Sequence, residues 1–463
     1  MNQFLIAFAA VVAGTALTLF AAVLMVRPVF AWLVRHYLRR LVTDYYEENL
    51  AEMIPAFLRM KPHLVVENSL RAQSEGKVIE RPFGSPRQFP NFDQLVFSPA
   101  QIVHFPLDHH AEVDVRLTIG PCAKRPLHLD IPLLIGGMGF GVGVSEKLRL
   151  ALAIGTHDAG TALNTGQGPL LPEERSYAKY LIYQFHSASW ARSPEMLRQS
   201  DAVEIRFGQG ALAGVGITLP AQTIDGKAQE LMGLAPGEDG IIPSRHPELR
   251  SHKDLPKLVD RLKEITGGAP IGVKLSAGKY LEMGLEAAVA AGVDFVSLDG
   301  GQAGTKSAPP ILQDDFGLPT LYALCRAVRF FRKHSLRDRV TLLVGGGFFT
   351  PGDCLKAIAL GADGIYLGTA ALWAMTHAQV TKAVPWEPPT QLVYYKGKLE
   401  DRFDEQLAAR NLCQYLLSTV EEMKMGIRAL GKSSIREIGP DDLLALDEWT
   451  ARITGAPPGY PTR

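Results

Sequence analysis

Lys274 stands near the end of an apolar run, IGVKLSAG, and Asp299 closes another, FVSLD. An ammonium at the end of a buried strand is a cation placed where developing negative charge can be stabilised. Glycines follow Asp299 at Gly300, Gly301 and Gly304, within FVSLDGGQAGTKSAPP, and let the backbone approach a ligand closely. Two more glycine clusters close apolar runs downstream: Gly345, Gly346 and Gly347 in LLVGGGFFTPGD, and Gly368 with Thr369 in GIYLGTAAL. Backbone N–H groups freed by such turns, next to a helix start, suit a phosphate. Upstream, Asn164 and Gln167 in LNTGQG and Arg206 and Gln209 in EIRFGQG set amides and a guanidinium at the ends of their own apolar runs. Arg206 could hold a carboxylate bidentately, with Gln167 and Gln209 orienting it.

These residues need elements that bring them to one place. Apolar runs ending in glycine alternate with amphipathic stretches, the pattern of an α/β protein with a (β/α)8 TIM barrel whose ligand loops lie at the strand C-termini. The expected strands are IPLLIGGM, TALNTG, AVEIRFGQG, a short fourth around residues 240–244, PIGVKL, DFVSLDG, VTLLVGGG and DGIYLGTA. Helix chemistry agrees: Ser145 is a predicted N-cap, Leu255, Leu258, Val259 and Leu262 share a face, and Thr350 with Pro351 starts a helix that Gly361 can end. A doubly wound dinucleotide fold is disfavoured, because no GxGxxG follows a first strand with an acidic residue at the usual distance.

The chain has 463 residues, enough for a large core, and its 48 Lys and Arg balance 48 Asp and Glu, which argues against a nucleic-acid partner. Its four cysteines, Cys122, Cys325, Cys354 and Cys413, form no CxxC pair and read as buried packing residues. His109 and His110 follow Asp108 without a third ligand at useful spacing, so no metal site is expected. No charge occurs from Met1 to Val26, and the apolar stretch exceeds the ~20 residues that cross a bilayer. Arg27, Arg35, Arg39 and Arg40 follow it, so a single-pass N-terminal anchor with the catalytic body in the cytoplasm is expected. The predicted domains are an anchor (1–27), juxtamembrane helices and a lead-in (28–130), the barrel (131–380), and a C-terminal helical extension ending in the tail GAPPGYPTR (381–463).

A flavin fits the phosphate loops and Lys274, which would stand beside its pyrimidine side, but spacing alone equally allows tight turns and a Lys274–carboxylate pair. From about Ile131 to Met425 the chain resembles the FMN-binding synthase domain of glutamate synthase. The motifs that carry the resemblance occur in order: IGGMGFGVGVSEK, LNTGQG, VEIRFGQGA, GIIPSRHPE, GVKLSAG, SLDGGQAGTKSAP, GGGFFTPGDCLKAIALGAD and YLGTAAL. The resemblance implies an FMN barrel acting as an oxidoreductase on CH–NH2 donors. It implies Gly136, Gly137 and Met138 against the flavin, Asn164 and Gln209 near its ring, and Lys274 at its pyrimidine edge. It also implies Gly300, Gly301, Gly304, Thr305, Gly346, Gly347, Gly368 and Thr369 around ribityl and phosphate.

There are departures. Where glutamate synthases place cysteines after the eighth strand, ALWAMTHAQVTKAVPWEPPTQ has none, so no iron–sulfur cluster is expected. No glutaminase segment is seen, which leaves ammonia to solution or a separate subunit, as well as a separate electron donor. The family's acidic residue after the second strand matches Gln167, and its lysine after the glutamine motif is replaced around Leu212. The expected reaction is hydride transfer from FMN to a planar imine, making glutamate from 2-oxoglutarate or reducing a related imine. Lys274, Gln167, Arg206 and Gln209 are the catalytic candidates, and His246 in SRHPE is a further proton donor to weigh against an ordinary loop residue. Alternatives are a membrane-tethered flavin electron-relay module, or another FMN barrel related to IMP dehydrogenase or isopentenyl diphosphate isomerase.

Overall fold

Apolar runs that end in glycine fold as the staves of a closed parallel barrel in this computed structural model, which describes residues 2–385 and 387–460. The staves are β1 (Leu133–Ile135), β2 (Ala162–Asn164), β3 (Tyr180–Phe185), β4 (Ala202–Arg206), β5 (Ile271–Ser276), β6 (Phe295–Asp299), β7 (Thr341–Gly345) and β8 (Gly364–Leu367). Each pairs in parallel with the next, and β8 closes on β1 with Ile365 opposite Leu133. The principal helices are α1 (Glu146–Asp158), α2 (Leu255–Ile265), α3 (Leu281–Ala290), α4 (Thr320–Lys333), α5 (Pro351–Leu360), α6 (Thr369–Thr376) and α7 (Glu405–Ala429). Their ends follow the sequence chemistry. Ser145 Oγ accepts from Leu148 N at 3.3 Å, Thr350 Oγ1 accepts from Asp353 N at 3.1 Å, and Gly361 ends α5 in the left-handed region at φ 119°.

Eight strands are present, but two assignments change. Tyr180–Phe185 is the third stave and Ala202–Arg206 the fourth, while Gly240–Ile242 leaves the barrel and pairs antiparallel with Ile217–Leu219. The run YLIYQF is buried on both faces after its first residue, so it has no alternation, and only the six-residue helix Pro172–Tyr177 separates it from β2. A strand without either signal passes for loop. Cys122 is exposed, unlike the packing role expected of the cysteines.

The lead-in run VDVRLTI supplies one arm of a hairpin, Leu117–Ile119 paired with Leu127–Leu129. Leu117, Ile119, Leu127 and Leu129 join Leu134, Ile182, Phe295 and Leu343 in one apolar cluster that fills the N-terminal half of the barrel. Two strand glycines admit these side chains: a Cβ at Gly272 would strike the Phe295 ring, and one at Gly364 would lie 2.6 Å from Leu117 Cδ2. Farther out, Leu95–Phe97 pairs antiparallel with Leu443–Ala445, and α7 lies on α1, where a Cβ at Gly155 would be 2.7 Å from the Ala409 carbonyl.

Residues 1–79 form a separate unit from 80–463. The helix Asn2–Thr43 has 42 residues, runs through Pro28 past residue 27, and exposes its apolar side chains. It is long and apolar enough to cross a membrane. Met1, counted in the expected span, and residues 461–463 of the expected tail lie outside the described residues.

Candidate active site

The C-terminal half of the barrel interior is built of charge. Residues two apart on a strand share a face, so β4 sends Glu204 and Arg206 inward, and the register sets Arg206 beside Lys274 and Lys274 beside Ser297. Lys274 Nζ is 3.1 Å from Asp299 Oδ1, with both side chains under a tenth exposed, and lies 5.1 Å from the Tyr366 ring centroid. Burial opposes the ammonium, but the Asp299 and Glu204 carboxylates outweigh it and hold its pKa above the ordinary lysine value. Lys274 therefore both pairs with a carboxylate and remains a cation at the barrel mouth.

Glu204 organises the amides. Its Oε1 accepts from Asn164 Nδ2 and from Gln184 Nε2, each at 2.8 Å, and Asn164 Oδ1 in turn accepts from Gly166 N at 2.9 Å. Gln184 Oε1 is buried without a partner among the described residues. Burial, with Glu204 adding to it, pushes the Tyr366 phenol well above its usual range, so it stays neutral. Arg206 Nε donates to Gln209 Oε1 at 3.2 Å, while Arg206 Nη2 and Gln167 Nε2 are buried donors without an acceptor among the described residues. Burial lowers the Arg206 pKa to about 10 against the pull of Asp299 and Glu204, which leaves it charged at neutral pH. Each buried donor without an acceptor costs about 1–3 kcal/mol, a cost that an anionic ligand would remove.

The glycines divide into two groups. Gly346 and Gly347 adopt φ 114° and 77°, Gly368 caps α6 with nothing within 4 Å of the position a Cβ would take, and Thr369 opens that helix. This combination presents backbone donors and a helix N-terminus to an anion. Gly136 N donates to Leu367 O at 2.8 Å, and a Cβ at Gly137 would lie 2.9 Å from Asn164 Oδ1 and 3.0 Å from Gln184 Nε2. The backbone at Gly137 thus rests directly on the interior amides, while Gly136 is bonded to β8 and Met138 O accepts from Arg149 Nη1. Gly300 and Gly304 have a different reason to be glycine: a Cβ would strike Thr320 at the first and the Phe83 carbonyl at the second. Thr305 O accepts from Phe83 N at 2.8 Å, and Gly301 N donates to Leu318 O at 2.7 Å, so this loop is gripped by protein.

Sequence reasoning missed Gln184, Glu204, Tyr366 and the pair Arg149–Glu174. Arg149 interrupts the apolar face of α1 in KLRLALA, which was the available signal. It is fully buried, pairs with Glu174 through Nε (3.2 Å to Oε2) and Nη2, and donates from Nη1 to Met138 O at 2.7 Å and Asn164 O at 3.1 Å. One guanidinium thereby fixes the loops after β1 and β2. His246 is placed away from the interior. It stacks on Phe185 at 5.7 Å, the strand face opposite to that of Gln184, and its Nε2 donates to Arg206 O at 2.8 Å. Burial lowers its pKa, so it is a neutral packing group supporting β4. Among the described residues no group of three or more His, Cys, Asp or Glu is placed to hold a metal.

Residues 91–433 match the conserved region in glutamate synthase. The chain belongs to the glutamate synthase family. A glutamate synthase large subunit-like protein from Rhizobium meliloti is 34% identical over 407 residues, covering 84% of this chain and 91% of that one. An archaeal-type glutamate synthase [NADPH] from Thermotoga maritima is 29% identical over 419 residues, covering 84% and 82%. A flavocytochrome b2 variant with benzoylformate superposes with a TM-score of 0.50 at 19% identity over 80% of each chain, which shows the shared barrel. This glutamate synthase-like protein is accordingly an oxidoreductase of the type acting on CH–NH2 donors.

Proposed function

We propose that the chain binds FMN at the C-terminal mouth of the barrel and reductively aminates 2-oxoglutarate, or reduces a closely related imine. The observation that carries this reading is the buried Lys274–Asp299 pair with Arg206 beside it on the neighbouring strand, whose Nη2 is a buried donor without an acceptor among the described residues, as is Gln167 Nε2 in the loop after β2. The donor set suits the group: a fixed cation for the pyrimidine edge, amides held by Glu204 for the ring, and Gly346, Gly347, Gly368 and Thr369 for the phosphate. FMN when bound supplies two-electron hydride transfer between an electron donor and the imine carbon. Lys274 keeps positive charge beside the position where negative charge develops. Arg206, Gln167 and Gln209 grip the substrate carboxylate and hold the imine carbon in place. The apolar plug beneath excludes water from below.

The Thermotoga maritima relative is named for NADPH; here we assign electrons to a separate donor subunit and ammonia to solution or a further subunit. The helix Asn2–Thr43 is the anchor, with Arg27, Arg35, Arg39 and Arg40 setting the catalytic body on the cytoplasmic side. The segment after β8 carries no cysteine, in keeping with chemistry that needs no iron–sulfur cluster at that place. Leu212, where the family pattern has lysine, packs with Ala211, Ala308 and Ile217. That burial favours a substrate related to 2-oxoglutarate as the second reading.

The test is the visible spectrum of detergent-purified, FMN-reconstituted protein, reduced without oxygen and then given 2-oxoglutarate and ammonium. Bleached flavin bands that return as glutamate forms establish the reaction. Bands that stay bleached move the substrate elsewhere, and protein that takes up no FMN ends the flavin reading.

A further inference from the structure

Lys306 lies in the loop after β6, two residues before Ala308, which packs against Leu212. The loops after β4 and β6 are in direct contact there: a Cβ at Gly210 would lie 2.6 Å from Ala303 Cβ. The Lys306 side chain is half-buried and leans on Tyr395, with Nζ 3.3 Å from the Tyr395 carbonyl and 5.7 Å from its ring centroid. Tyr395 spans to the loop after β1, because its N–H donates to Gly143 O at 3.2 Å and its ring meets Phe140 edge-on at 5.8 Å. The ammonium is therefore held over the barrel mouth, between the loops after β1 and β6.

This cation is under-satisfied. It has one carbonyl acceptor for three N–H donors and no ion-pair partner among the described residues. Burial lowers its pKa against the pull of the Glu80 and Glu400 carboxylates, with Lys396 adding to the lowering. A half-buried ammonium with no close ion pair among the described residues gains from an anionic ligand. The phosphate cradle is not that ligand's place, because Gly346 and Gly347 approach Ala303 and Gln302, whereas Lys306 turns toward Tyr395 and the loop after β1.

We propose that Lys306 is a specificity-determining residue that binds the second carboxylate of a dicarboxylic substrate whose first carboxylate is held by Arg206. Resting on the reading above, it narrows the substrate to a 2-oxo dicarboxylic acid and supplies from the loop after β6 the cation that Leu212 does not.

The experiment is calorimetric binding of 2-oxoglutarate and of 2-oxopentanoate, the same carbon chain with one carboxylate, to the FMN-reconstituted full chain and to Lys306→Met and Lys306→Arg. The expected result is a preference of about tenfold or more for the dicarboxylate, lost in Lys306→Met and retained in Lys306→Arg, with FMN affinity unchanged. No preference in the parent protein, or a preference that survives Lys306→Met, overturns the assignment. So does a Lys306→Met variant that loses FMN affinity but keeps the preference, since it makes Lys306 a phosphate ligand. A preference without reoxidation of the reduced protein by 2-oxoglutarate and ammonium refutes the proposed reaction and leaves the subsite standing.

Discussion

The two halves of the barrel interior treat polarity in opposite ways. Toward the N-termini of the strands, Phe295, Leu117, Ile119 and Leu129 interlock, and two strand glycines have given up their side chains to admit them. Toward the C-termini, Glu204, Arg206, Lys274 and Asp299 occupy the same cylinder, with several of their buried polar neighbours unpaired. One half is finished by its own packing; the other gains from a ligand. The same strand can serve both, since Phe295 and Asp299 lie on the same face of β6, four residues apart.

The comparison is open to test by changes that move one half and spare the other. The largest effect is expected from Phe295→Ala, which removes a fully buried ring from the plug and costs about 3–5 kcal/mol of stability. Denaturation of the detergent-solubilised protein measures it, and protein that still folds should show an unaltered flavin spectrum. A shifted spectrum would mean that the plug and the mouth are coupled. Next is Lys274→Met, for which turnover should fall about 10²–10³-fold. Unchanged turnover would remove Lys274 from the chemistry.

The smallest effect concerns pH. His186 and His246, both near the strand C-termini, have pKa values lowered first of all by burial, so the folded state binds fewer protons than the unfolded state. Stability is then present above the unfolded histidine pKa of about 6.5 and declines below it by up to about 1.4 kcal/mol per pH unit for each histidine. Urea unfolding at pH 7.5, 6.5 and 5.5, compared between the parent and His246→Asn, should show a shallower decline in the variant. Identical slopes would mean that His246 titrates alike in both states.

Much of this was legible beforehand because the signals were local. The runs of β5 to β8 end in glycine, and the caps at Ser145 and Thr350 follow from side-chain chemistry within one turn. Lys274, Arg206 and Gln209 were visible as polar residues at strand ends. What escaped depended on partners far away in the chain. Tyr180–Phe185 is apolar on both faces and reveals itself only through β2 and β4, and with it Gln184 was lost. Gly300 and Gly304 read as ligand glycines, and the packing that also requires glycine there, against Thr320 and Phe83, comes from residues outside the motif. Arg149 shows in the sequence only as a break in an apolar helix face; the Glu174 carboxylate and two carbonyls that close around it come from other segments.

The pairing of Leu95–Phe97 with Leu443–Ala445 also sets a schedule. During synthesis the first of these strands leaves the ribosome before any stave of the barrel, and the second only after all eight. The early strand therefore spends the synthesis of the whole barrel as an unpaired edge, the state in which strands are most open to foreign partners. Its partner follows the whole barrel in the chain, so residues made after all eight staves are the ones that fasten a strand made before the first.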